Sequence, residues 1–238
     1  MITIITTIYN ANFLDFKKTF DSVLLQSCTD YEYIVQSAGK SVECENYVTI
    51  SDDSRARLIK KSDKGIYHGM NLALESSNSN YVIFLNSGDV FIDKNFLKKA
   101  IDIFDSSRDI KIVACNKILY GESLDKSKIR MQRKSKFLVR GLCHQSFIAN
   151  IQDIRFDLDY SLAADFKSVI DITKGDFTKI AFINICGVFY QAGGVSDENA
   201  KKVYLEMTKA ILVSQINIFS KFFSSVVYFS KFLLSFRF

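Results

Sequence analysis

Tyr81-Val82-Ile83-Phe84-Leu85 is a short apolar run that stops abruptly in Asn86-Ser87-Gly88-Asp89. A run of this length, bounded by turn residues, fits a strand buried on both faces, as in a parallel sheet covered by helices. In open sheets of that kind, ligands bind just beyond the carboxyl ends of the strands. An acid there can hold a cation or a hydroxyl without being buried unpaired. The preceding stretch, Ser62 to Asn71, begins as a polar, glycine-containing turn and continues as a helix. Together these stretches put a small-molecule site at Asn86 to Asp89.

The rest of the first half alternates in the same way. Ile2 to Ile8 reads as a buried parallel strand, followed by a turn at Tyr9 to Asn12. Asn12 or Asp15 caps a helix to about Gln26, with Phe13, Phe16, Phe20, Val23 and Leu24 at helical spacing. Tyr31 to Gln36 is a second strand and Tyr47 to Ile50 a short third. Gly65 to Glu75 is helical, a helix begins at Asp93, and Asp109 to Cys115 returns as a strand. The order predicts an α/β fold with a mixed, mostly parallel sheet and helices on both faces. Of the 238 residues 48% are apolar, enough for one sizeable core, and with no proline the turns fall to Gly, Asn, Asp and Ser.

The second half is less regular. Residues 122–140 carry Lys126, Lys128, Arg130, Arg133, Lys134, Lys136 and Arg140 against Glu122 and Asp125. They form either a solvated loop or a basic lip over a phosphate-bearing ligand. His144 to Ile148 enters a strand, Ser161 to Thr173 is helical, Lys179 to Tyr190 is a strand or hairpin, and Gln191 to Ser196 is a flexible turn. The net charge of +5 is too small to imply nucleic acid. Five cysteines without metal spacing, and only two histidines, argue against a zinc site and for a reducing, cytoplasmic compartment. The first residues lack the charged segment of a signal peptide.

With that order in hand, the chain resembles the family 2 glycosyltransferases of GT-A fold, and within them the bacterial members that build O-antigen, capsule and exopolysaccharide units. Thr3-Ile4-Ile5-Thr6-Thr7-Ile8-Tyr9-Asn10 resembles the family's first strand and nucleotide-binding turn. Asp63-Lys64-Gly65-Ile66-Tyr67-His68-Gly69-Met70-Asn71 resembles D-K-G-I-Y-D-A-M-N, and Phe84-Leu85-Asn86-Ser87-Gly88-Asp89 resembles F-L-N-[AS]-G-D. His144-Gln145 and Gly193-Gly194-Val195-Ser196 also recur in the subgroup.

The resemblance implies an inverting transferase that moves a sugar from a nucleotide sugar, most often a UDP-sugar, to a saccharide acceptor, here one carried on undecaprenyl diphosphate. It implies Asp165 as the catalytic base, because Phe156-Asp157 followed by Ala163-Ala164-Asp165 is similar to the family's base segment. It implies Thr7, Tyr9, Ser37, Asp63, Lys64, Gly65, Asn71, Asn86, Ser87, Asp89 and His144 at the nucleotide sugar, with Asp89 as the acid beside Mg²⁺ or Mn²⁺. His144 would donate to the diphosphate or position the acceptor. Two positions depart from the family: its usual D-x-D-D falls on Asn86 to Asp89, and Ser37 stands where an aspartate usually contacts the base.

The expected organisation is a GT-A domain over 1–199, with a nucleotide-sugar half (1–120) and an acceptor half (121–199), and an amphipathic helical tail over 200–238. In the tail, Ser214, Asn217, Lys221, Ser224, Tyr228, Lys231 and Ser235 trace a narrow polar stripe on an apolar helical pattern from Val203 on. A helix this apolar is not left in water. It packs on the domain, pairs with a second copy, or lies peripherally on the inner face of the plasma membrane. Two rival readings are a non-catalytic saccharide binder and a membrane-tethered assembly protein. A dinucleotide-binding oxidoreductase is a distant third, because Tyr9-Asn10-Ala11-Asn12 stands after the first strand in place of G-x-G-x-x-G.

Overall fold

The computed structural model describes residues 1–120, 128–131, 142–191 and 194–235. In β1 (Ile2–Ile8), Ile5 joins one layer of core while Ile2, Ile4 and Ile8 join the other. A strand buried on both faces, its threonines included, has to be covered on both sides. It pairs in parallel with β2 (Tyr31–Ser37) and with β4 (Tyr81–Phe84), and β2 pairs in parallel with β3 (Ala56–Lys60). Past β4 the direction reverses. β8 (Phe147–Asn150) runs antiparallel to β4 and to β6 (Ile112–Tyr120). β6 is parallel to β9 (Ile180–Gln191), which takes β5 (Val90–Phe91) on its far side, and β7 (Lys128–Arg130) adds to β6. The result is one mixed sheet in the order β3-β2-β1-β4-β8-β6-β9-β5.

One face of the sheet is covered by α1 (Phe13–Leu24), α2 (Val42–Ile50) and α4 (Phe96–Ser106) through Phe16, Phe20, Cys44, Val48, Phe96 and Phe104. The other is covered by α3 (Ile66–Leu74) and α5 (Ala164–Thr173), with Met70, Leu74, Phe166, Val169 and Ile170 inward. The short α6 (Val195–Glu198) leads into α7 (Ala200–Val213), whose Ala210 and Ile211 enter the same core layer. The tail is therefore built into the core from its first helix. Asn217 then caps α8 (Ile218–Leu234) by accepting from the Ser220 amide at 2.8 Å. The single helical pattern seen in sequence is two helices, broken at 214–217.

Tyr47 to Ile50 is not a strand but the end of α2, and the third strand is Ala56–Lys60. Four β-branched and aromatic residues are too few to decide between strand and helix. Here tertiary contacts decide, because the Tyr47 ring meets Phe13 and Phe20 edge-on and its hydroxyl donates to Asp21 at 2.9 Å. The basic stretch at 122–140 lies outside the described residues except for 128–131, as does Gly193.

The carboxyl ends of β1 to β4 share one edge of the sheet. Because β8 is antiparallel, its amino end, preceded by the 3-10 turn His144–Ser146, meets the same edge. Asn71, expected at the nucleotide, does a different job there. Its amide donates to the Phe156 carbonyl at 2.8 Å and accepts from the Phe156 amide at 3.0 Å, locking α3 to the chain that leads into α5. Asn71→Ala leaves both buried backbone groups unpaired, and we expect denaturant unfolding to show a loss of about 2–3 kcal/mol. A loss below the error of the measurement would mean that the latch is not structural.

Candidate active site

At the end of β1, Thr7 lies beside Asp63 and Gly69. A Cβ on Gly69 would sit 2.7 Å from Asp63 Oδ2 and 3.3 Å from Thr7 Cγ2, so glycine is needed for the approach. Asp63 Oδ1 accepts from the Gly65 amide at 3.0 Å, and Gly65 has a φ of +123°, the left-handed region that glycine tolerates. The Lys64 amide donates to His68 Nδ1 at 3.0 Å, which makes His68 a brace for the turn. The Lys64 side chain is exposed. Tyr9 is also exposed at this edge, its hydroxyl 3.0 Å from Lys40 Nζ.

The loop after β4 closes on itself. Asp89 Oδ2 accepts from the Asn86 amide at 3.2 Å, and the Gly88 amide donates to Thr19 Oγ1 at 2.8 Å. Asp89 is buried, Ser87 is partly exposed, and Asn86 Oδ1 is buried without a partner among the described residues. A carboxylate beside an unpaired carbonyl oxygen is a donor set that a hard cation accepts when phosphate oxygens complete the shell. No group of three or more His, Cys, Asp or Glu gathers for a metal among the described residues.

Ser37 does not face this space. It is fully buried, and its hydroxyl donates to Glu45 Oε1 at 2.6 Å, with Glu45 paired to Lys60 at 2.6 Å. The Ser37 hydroxyl is thus engaged by α2, whose last residues, Tyr47 to Ile50, sequence reading took for a strand.

Across the edge, the first turn of α5 presents Asp165 to His144, with Oδ2 3.3 Å from His144 Nδ1. Asp165 Oδ1 accepts from the Phe166 amide at 2.8 Å and lies 3.3 Å from the Tyr67 hydroxyl, which also reaches the Leu162 carbonyl at 3.2 Å. Burial by itself would raise the Asp165 pKa. The hydrogen bond and charge of His144, with the Phe166 amide, outweigh it and hold the carboxyl below the usual aspartate range. His144 Nε2 and Gln145 Oε1 are buried and without partners among the described residues, as expected of groups that complete their bonds with a ligand.

Two further residues shape the site without having stood out in the sequence. Lys117, on β6, is 6% exposed, and its Nζ lies 2.7 Å from Cys143 Sγ and 4.8 Å from the Tyr190 ring centre. Burial opposes its charge, but Cys143, Tyr190 and Asp165 together raise its pKa, so it stays a cation. The one sequence signal was a lysine, next to Asn116, inside a mostly apolar strand. The second is Glu206 of α7. Its carboxylate accepts from the Ser161 amide and hydroxyl at 3.1 and 2.9 Å, and from the Leu162 and Ala163 amides at 2.9 and 3.0 Å. Nothing in the sequence links it to residues more than forty positions earlier.

The structure thus gathers Thr7, Asp63 and Gly65 at one part of the edge, Asn86 to Asp89 beside them, and His144 with Asp165 opposite. Asn71 and Ser37 spend their side chains on protein partners, Asn71 on the Phe156 backbone and Ser37 on Glu45.

The family model described as "Glycosyl transferase family 2" matches residues 3–159. No curated protein sequence matches the chain significantly. Among solved structures, S. aureus TarS 1–349 aligns with a TM-score of 0.69 at 15% identity, over 98% of this chain and 70% of that one. The same TarS fragment in complex with UDP-GlcNAc aligns at 0.69 and 16% identity, over 97% and 72%. The mannosyltransferase PcManGT from Pyrobaculum calidifontis, in complex with GDP-Man and Mn²⁺, aligns at 0.65 and 12% identity, over 89% and 63%. The fold is GT-A.

Replacing His144 by Gln removes the charge and alters the bond that lower the Asp165 pKa. A carbon-13 carboxyl titration should then place Asp165 nearer the ordinary aspartate value, and an unmoved midpoint would exclude His144 as the cause. Glu206→Ala strips the acceptor from the amides before α5, with an expected cost of about 3 kcal/mol. Faster hydrogen exchange at Leu162 and Ala163 should accompany it; unchanged exchange there would refute the capping role.

Proposed function

We propose, from the premise that the chain belongs to glycosyl transferase family 2, that it moves a hexosyl or N-acetylhexosaminyl group from a UDP-sugar to a saccharide acceptor with inversion. The observation that carries this reading is the ionised Asp165, held by His144 and Tyr67 on the edge of the sheet that also carries Asp89. The bound UDP-GlcNAc of TarS and GDP-Man of PcManGT, on the same fold, support a nucleotide-sugar donor.

In the proposed step, the acceptor hydroxyl gives its proton to Asp165. Its oxygen forms the new bond to the anomeric carbon, and the bond from that carbon to the diphosphate breaks with its electron pair on the leaving nucleotide. A carboxylate with a lowered pKa is ionised at neutral pH but weakly basic, so it takes the proton late, as the new bond forms. His144, with its unpaired Nε2, faces the acceptor or the diphosphate, and buried Lys117 offsets the charge that gathers there. Asp89 and Asn86 Oδ1 would hold Mg²⁺ or Mn²⁺, which supplies positive charge to the leaving diphosphate. With Ser37 covered by α2, the exposed ring of Tyr9 is the surface left for a base to stack on.

The acceptor is taken to be a sugar on undecaprenyl diphosphate, used in bacterial surface polysaccharide synthesis at the inner face of the plasma membrane. The apolar tail supports this, as a contact with a bilayer or with a second copy of the chain.

Calorimetry with UDP, GDP and dTDP, with and without Mn²⁺, tests the donor site. UDP should bind and Mn²⁺ should tighten it, and Asp89→Asn should abolish the tightening. Asp165→Asn should lower kcat by roughly 10²–10⁴-fold and leave UDP affinity unchanged. An Asp165→Asn enzyme with full kcat would remove Asp165 as the base, and absence of binding by all three nucleotides would overturn the reading.

A further inference from the structure

Helix α8 is mounted with its polarity reversed. Ser224 and Tyr228, from the polar stripe, are buried at 3% and 4% exposure, and Ser220 beside them at 2%. The Tyr228 ring packs edge-on against Phe166 of α5, at 5.3 Å. The opposite face carries Ile218, Phe222, Val226, Phe229 and Leu233, at steps of four, four, three and four, with Phe219 beside them. These six are between 47% and 77% exposed. A surface helix ordinarily buries its apolar stripe and shows its polar one. A contiguous apolar face of this kind marks a surface that meets something else.

Charge identifies what it meets. Residues 200–238 hold six of the 31 lysines and arginines but one of the 26 acids, which leaves 25 of each sign in residues 1–199. The whole net charge of the chain therefore rides on the tail, and the single acid there, Glu206, is turned inward against the lead-in to α5. Lys201, Lys202 and Lys231, with Tyr204 and Leu234, line an open groove between the start of α7 and the end of α8, where Glu198 is the acid. Two copies joined through this face would bring like charges together, whereas an anionic surface is complementary to it. Among the described residues no helix, the 17-residue α8 included, is long and apolar enough to cross a membrane. It is suited to lying in the interface.

We propose that the outer face of α8 docks on an anionic phospholipid bilayer, its apolar row among the acyl chains and the lysine groove against headgroup phosphates. This supplies the partner for the lipid-linked acceptor in the reading above, but it stands on the tail alone.

Co-sedimentation of the full chain with vesicles tests it, using phosphatidylcholine alone and in equal mixture with phosphatidylglycerol. Binding to the anionic vesicles should exceed that to phosphatidylcholine by about tenfold or more and should weaken with salt. Phe222→Ser with Val226→Ser should abolish it. Lys201→Gln, Lys202→Gln and Lys231→Gln together should remove the anionic preference and leave weak binding to both. UDP calorimetry on each variant reports the integrity of the domain. Intact UDP binding with no vesicle binding would overturn the docking proposal, as would a solution dimer that Phe222→Ser dissociates. Vesicle binding without any nucleotide binding would instead count against the transferase reading and leave the docking intact.

Discussion

A helix begins with amide groups that no earlier turn can satisfy. At the start of α5 this matters more than usual, because the residue in the capping position is Ala163, which has no side-chain acceptor. The Phe166 amide in the first turn is met by Asp165 Oδ1, and the Glu206 carboxylate of α7 holds the lead-in to the helix, taking the Ser161, Leu162 and Ala163 amides and the Ser161 hydroxyl. A negative charge at that end also faces the positive end of the α5 dipole. The turn so fixed contains Asp165, and the Leu162 carbonyl in the same loop receives the Tyr67 hydroxyl that also approaches Asp165. Candidate base, its loop and its hydroxyl partner are thus set by one carboxylate, on a helix that sequence alone would assign to a tail. Truncating the chain before α7 would leave the Ser161 to Ala163 amides without their acceptor and free the lead-in to α5.

The electrostatics of the site follow from burial opposed by pairing. Asp165 is kept ionised by His144 and the Phe166 amide against the cost of desolvation. Its folded-state pKa is lowered, so the pairing stabilises the protein above the ordinary aspartate range and is lost as pH falls through the folded value. Lys117 answers the same problem with the opposite sign. Its burial would neutralise it, and neighbouring Cys143, Tyr190 and Asp165 hold the proton on. Asp165 is thus one of the negative charges that keep the buried Lys117 protonated.

Much of this was legible in the chain. The strand end at Asn86 to Asp89 and the turn at Asp63 to Gly65 follow from an apolar run that stops at turn residues and a polar turn that opens a helix, whereas Asp165 and His144 were singled out only by resemblance to the family's motifs. Such signals are local, so they survive without knowledge of the fold. What could not be read were the pairings across the sheet. Tyr47 to Ile50 has strand composition, yet the rings of Phe13 and Phe20 hold it in α2, and α2 in turn covers Ser37. Asn71 lies in a motif that implies a ligand, yet its amide is spent on the Phe156 backbone. The polar stripe of α8 was visible as a stripe, but no periodicity tells which side of a helix faces the protein. That choice was made by Tyr228 against Phe166.

The inverted helix and the capped helix are parts of one mechanical path. From the outer face of α8, contact passes through Tyr228 to Phe166, the residue next to Asp165, and α7 reaches the same turn through Glu206. A surface that rests on a bilayer through α8 would therefore hold the base turn at a fixed height above the headgroups. For an acceptor that is itself anchored in the lipid, confinement to that plane turns a search in volume into one over a surface and raises the effective concentration of the two partners. The same geometry limits which hydroxyls can reach Asp165, since a sugar tethered to the membrane presents itself only within the span of its carrier. Acceptor choice would then depend on the mounting of the tail as well as on pocket shape, a dependence that a freely diffusing acceptor would not impose.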